Sequence, residues 1–248
     1  MENESPLVDA VLRPVRGHMA FESCVEQLGS AIRLGVLRPG NRLPNERDLA
    51  ERMDVSRATL REAISALRAA GLVTTSRGRG GGTIVNPQAG EWTPGRSAAT
   101  GADDADQAGR RRDVEQTLVF RSILEPGAAY QAAVMALEPS QEALLRDCLA
   151  EVEQAGNPSD YRQADARLHL SIATVCGSDA LAHSTSVVQT KIHQYLAEIP
   201  FLPANISNSD EQHRSIVNAI LTGDAESARS IMHEHCDATA ALLKGLLK

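Results

Sequence analysis

Residues 45–71 read NERDLAERMDVSRATLREAISALRAAG, and they contain two helix starts. Asn45, with Asp48 three residues on, is placed to cap one helix, and Ser56 to cap the next. Leu49, Ala50 and Met53 form the buried side of the first. Leu60, Ala63, Ile64 and Leu67 form the apolar stripe of the second, which Gly71 ends. Asp54-Val55 makes the short turn between them, so the stretch predicts a helix-turn-helix unit. At about 100° per residue, Arg57, Arg61 and Arg68 fall within roughly 40° of one another and off that stripe. The apolar stripe holds the helix down while the arginines face outward. For a helix alone, an ordinary solvated face would account for them equally well.

The flanking sequence adds to this unit. Upstream, Val25, Leu28, Ile32 and Leu34 recur at helical spacing until Gly35 and Pro39-Gly40. Downstream, Leu72-Val73-Thr74-Thr75 and Thr83-Ile84-Val85 have the β-branched content of two short strands, with SRGRGGG between them. That predicts a hairpin with a glycine-rich basic tip, in which glycines admit a sugar-phosphate wall and Arg77 and Arg79 supply charge. There is no GxxxxGK[ST], so the glycines do not read as a nucleotide loop. The net charge of −7 hides an asymmetry: residues 1–90 carry 12 arginines against 10 acids, and residues 91–248 carry 13 basic against 22 acidic side chains. Within 38–79 there are nine arginines and five acids, a patch suited to a polyanion.

Across the 248 residues, aromatics make up only 3% and Ala, Leu, Glu and Arg dominate, which favours a mostly α protein. The texture breaks in a Gly-, Ala-, Pro- and Asp-rich segment. The expected organisation is a helix-turn-helix domain with a hairpin over 15–86, a linker over 87–112 and an all-α domain over 113–248. Helices are expected near 114–136, 139–155, 159–176, 179–198, 208–222 and 224–247. MENESPLVDA lacks a basic and then apolar leader pattern, and no apolar run approaches the roughly 18 residues of a membrane span. A cytoplasmic protein without a membrane partner is expected. Cys24, Cys148, Cys176 and Cys236 are far apart and predict buried reduced thiols. In the second domain Asp165 and His169 stand at i and i+4, and His213 and His235 lie on two other expected helices. Such a set suits a divalent ion, although each histidine alone is more often an ordinary core or polar residue and Asp165/His169 also fits a salt bridge.

Residues from about 20 to 85 resemble the winged helix-turn-helix of GntR-type bacterial transcription regulators. The resemblance implies three helices and a hairpin wing, a recognition helix from Arg57 in the DNA major groove, and a homodimer on a palindromic double-stranded operator. It assigns DNA contact to Arg47, Arg57, Thr59, Arg61 and Gly78, beside the wing arginines Arg77 and Arg79. Residues 114–247 resemble the FCD ligand-binding domain of the FadR subgroup, whose metal-binding members carry D-x-x-x-H and then two histidines about 44 and 22 residues apart. Asp165, His169, His213 and His235 match those places, with His233 competing for the last, and imply zinc, or alternatively nickel or manganese. Arg121 matches an arginine that faces the effector pocket, but Arg121 and Glu125 also fit a structural i,i+4 pair. Asp179 stands where many relatives have Asn and puts an amide role there in doubt. The implied function is a bacterial, nucleoid-associated repressor released by a small organic acid, without catalytic activity. The alternatives are a metal-dependent enzyme and a metal-free FadR-type regulator or activator.

Overall fold

The computed structural model describes residues 6–15, 20–76, 82–87, 89 and 104–247. It separates the chain into two compact units, Met1–Trp92 and Thr93–Lys248. The wing residues Arg77, Gly78 and Arg79 lie outside the described residues.

In the first unit, α1 (Pro6–Val11) and α2 (Ala20–Arg33) precede the pair α3 (Glu46–Arg52) and α4 (Arg57–Ala69). Both expected caps form. Asn45 Oδ1 accepts from the Asp48 amide at 3.0 Å, and Ser56 Oγ from the Thr59 amide at 3.1 Å. Asp54 makes the turn with a φ of 52°, and Gly71 follows α4 with a φ of 76°, the left-handed conformation that favours glycine. Leu28, Ile32, Leu49, Met53, Leu60 and Leu67 close the core among these helices. Strands β1 (Val73–Ser76) and β2 (Gly82–Val85) pair antiparallel from Val73↔Val85 to Ser76↔Gly82. Leu43 extends the sheet by donating to Thr83 O at 2.8 Å.

Helix α1 precedes residue 15; its six residues are too few to show a period, and Leu7, Val8 and Val11 are buried.

The second unit consists of α5 (Asp104–Val134), α6 (Pro139–Glu153), α7 (Pro158–Val175), α8 (Asp179–Ala197), α9 (Pro203–Leu221) and α10 (Ala225–Leu246). All six expected helices are present. Helix α5 starts well before residue 114 because its charged first turns need no apolar stripe; Arg110 there pairs with Glu198 of α8. Val114, Leu118 and Leu124 of α5 pack against Val188, Ile192 and Tyr195 of α8 and Leu243 of α10. Helix α7 is buried almost all round and takes Gln163, Asp165, Arg167 and His169 with it. Buried polar groups need partners, so α7 determines where this unit concentrates its chemistry. All four cysteines are free and buried, and no helix among the described residues is long and apolar enough to cross a membrane.

Candidate metal centre and DNA-reading helix

Asp165 and His169 project from α7, His213 from α9 and His235 from α10. All four are buried, with donor atoms within 4.8 Å of one another. His169 Nε2 lies 3.2 Å from His235 Nε2, and His213 Nε2 lies 3.3 Å from Asp165 Oδ1. The expected competitor His233 is instead exposed and pairs with Asp237 at 3.2 Å.

Burial pushes His213 and His235 well below the ordinary imidazole range, while it pushes the Asp165 carboxyl up. The imidazoles are therefore neutral near pH 7, in the form that donates a lone pair. Neither ring nitrogen of His213 has a hydrogen-bond partner among the described residues although both are buried. Three imidazoles and one carboxylate converging on one buried point, with both ring nitrogens of His213 unpartnered among the described residues, fit a divalent ion.

A second layer holds the histidines. Glu125 Oε2 on α5 lies 2.8 Å from His169 Nδ1, within ion-pair range though off the line of a straight N–H···O bond. Arg121 Nε donates to the same oxygen at 3.0 Å, and Gln189 Nε2 donates to Oε1 at 2.6 Å. Gln212 Oε1 lies 3.2 Å from His235 Nδ1. Backing of this kind orients an imidazole so that its other nitrogen faces inward. The sequence reading missed Glu125, Gln189 and Gln212 as parts of the site. Glu125 had a signal, its spacing from Arg121, but the two glutamines had none.

Arg121 does two things at once. Its Nε serves Glu125, while its buried Nη1 has no partner among the described residues, and it lines a cavity of about 60 Å³ with Asp165 and His235. A separate water needs about 10–15 Å³ of such space, and bonded atoms lie closer together than waters do, so the cavity suits a small organic acid.

In the first unit, Arg57 and Arg61 are exposed on α4, Thr59 is half-buried and Arg47 is exposed on α3. Arg61 Nε donates to Glu46 Oε2 at 2.6 Å, and Arg47 Nε lies 3.4 Å from Asp48 Oδ1. Arg57 and Arg61 thus stand on a helix whose other face, Leu60, Ala63, Ile64 and Leu67, is buried.

Residues 22–83 match the family of bacterial regulatory proteins called gntR, and residues 116–238 match the FCD domain. A protein of Escherichia coli K12 named as a regulator of the L-lactate dehydrogenase operon is 30% identical over 216 residues, covering 84% of this chain and 80% of that protein. LutR, a transcriptional regulator of Bacillus subtilis, is 30% identical over 223 residues, covering 86% of this chain and 96% of LutR. The solved structure of E. coli McbR/YncC has the same fold, with a TM-score of 0.53 at 18% identity over 92% of this chain and 99% of that one. Helix-turn-helix, wing strands and helical bundle together define a DNA-binding transcription regulator with a small-molecule effector domain. The chain belongs to the GntR family, in the group that carries an FCD domain. Its relatives regulate transcription, and the alternative of a metal-dependent enzyme is set aside on that ground.

Proposed function

We propose that this chain is a cytoplasmic, nucleoid-associated repressor that binds a palindromic operator as a homodimer and releases it when a small carboxylate enters the second unit. The domains involved are 15–86 for DNA and 113–248 for effector and dimer, joined by 87–112. Arg57, Thr59 and Arg61 read the operator from α4, Arg47 contacts it from α3, and Arg77, Gly78 and Arg79 do so from the wing. Asp165, His169, His213 and His235 hold zinc, which supplies a Lewis-acidic anchor for a carboxylate when bound. Arg121 turns its free Nη1 to that carboxylate. The observation that carries this reading is the cluster of four buried donors, two of which, Asp165 and His235, line one cavity with Arg121, whose Nη1 has no partner among the described residues. The L-lactate named in the E. coli relative is itself a small hydroxy acid, which supports the same ligand class.

A palindrome needs two heads. On α5, Val119 and Ile123 are 61% and 70% exposed, and Phe120 and Val134 are also open. That apolar row on one helix supports a homodimer through the second unit.

The test is metal analysis and operator binding on untagged protein. About one divalent ion per chain is expected, and His213→Ala is expected to lose the ion and the response to organic acids while still binding operator. Full metal occupancy in His213→Ala would sink the assignment of the centre.

A further inference from the structure

A second arginine borders the cavity. Arg162 lines it together with Arg121, and it lies one turn ahead of Asp165 on α7. At about 100° and 1.5 Å per residue, Arg162, Asp165 and His169 run along one face, within roughly 60° of arc, with about 4.5 Å of rise between the first two.

Arg162 is half-buried, and its Nε is fully buried without a hydrogen-bond partner among the described residues. A desolvated guanidinium Nε left unpaired is costly, and other buried arginines of this unit pair theirs. Arg167 Nε donates to Glu151 at 2.9 Å, and Arg121 Nε donates to Glu125. Nearby carboxylates are engaged elsewhere: Asp210 accepts from the Tyr161 hydroxyl at 2.8 Å, and Asp165 faces His213. Beside Asp165 and His235, the cavity is lined by apolar side chains such as Phe201, Leu202, Ile206 and Leu242 and by the neutral polar Asn205, Ser209 and Thr239, none of which carries a charge to match Arg162.

The geometry points to a dianion: the effector is a short dicarboxylate, with one carboxylate at Arg121 and the Asp/His cluster and the second on Arg162. This inference rests on the carboxylate reading of the cavity and narrows it. A monocarboxylate would leave Arg162 as it stands, and a long acyl tail exceeds about 60 Å³.

Calorimetric titration of the full-length, zinc-loaded chain with malate and 2-hydroxyglutarate, against lactate and 2-hydroxybutyrate, tests it. Each pair shares the 2-hydroxycarboxylate and differs in the second carboxylate. The dicarboxylates should bind at least about tenfold more tightly, as expected for one charge-assisted pair. Arg162→Gln should abolish that advantage and leave the monocarboxylates within about twofold. Arg162→Lys, which keeps the charge, should retain part of the advantage and guards against a misfolded variant. Equal affinity for both classes, or equal weakening of both in Arg162→Gln, overturns the dianion and leaves the carboxylate reading intact. If none of the four acids binds the zinc-loaded protein, the carboxylate reading itself fails, and the dianion with it.

Discussion

Burial deprives the Glu125 carboxylate of water, yet Arg121 and His169 hold its carboxyl down at about 2. A fixed anion beside His169 Nδ1 favours the tautomer whose Nε2 lone pair points into the cluster. Glu125→Gln keeps the shape and removes the charge, so zinc affinity is expected to fall about 10–100-fold in competition with a chromophoric chelator. Unchanged affinity would reduce Glu125 to a structural partner of Arg121. In the first unit, the exposed Arg61–Glu46 pair is worth only about 0–1 kcal/mol, so a phosphate or base edge can displace Glu46. Arg61→Ala is expected to weaken operator binding by about 1–3 kcal/mol if it reads a base. Glu46→Gln is expected to do the reverse for random-sequence DNA, raising affinity several-fold by removing an anion from the reading face. A loss of random-sequence affinity in Glu46→Gln would mean that Glu46 positions Arg61 instead of competing for it.

At the scale of elements, α5 has two working faces. One buries Leu118, Arg121, Leu124 and Glu125 and backs the centre. The other exposes Val119, Phe120 and Ile123, where single solvated alanines would be safer for a helix that stood alone. Ile123→Asp is therefore expected to shift the chain from dimer to monomer in sedimentation at micromolar concentration with little change in helix content. A dimer that survives this change would move the interface elsewhere. Helix α4 shows how far local signals reach. Its cap at Ser56, its stripe and its end at Gly71 are all short-range features, and each forms as its residues predict. Helix α5 shows the limit, since residues 104–113 carry no apolar period and their helicity comes from continuation and from contacts such as Arg110 with Glu198.

For the whole molecule, the centre couples three helices to proton binding. His213 and His235 are held below 6.5 by burial, so between that value and their folded values the unfolded chain binds protons that the folded chain does not. Their contribution to stability is complete above pH 6.5 and is lost as pH falls through their folded values. Asp165, raised by burial, works in the opposite sense above 3.8, but with one proton against two. Chelated protein is expected to melt at a lower temperature at pH 5.5 than at pH 7.5. Zinc should widen that difference, because it binds neutral imidazoles and stabilises by linkage. A melting temperature higher at pH 5.5 would contradict the burial of these histidines.

The sequence alone determined the elements whose causes lie within a few residues: two caps, a turn, an arginine row and six helices of the second unit. It also placed four candidate ligands at spacings shared with a known family. Spacing along a chain, however, cannot say that α7, α9 and α10 bring those ligands within 4.8 Å, or that His235 faces inward while His233 does not. Only tertiary packing decides such questions, because it sets which helix faces meet and which polar groups lose water. The same packing buried Glu125 against His169 and left nitrogens of Arg121 and Arg162 without hydrogen-bond partners among the described residues beside one cavity. A buried charge must find a counter-charge from somewhere, and its partner can lie tens of residues away or outside the chain altogether.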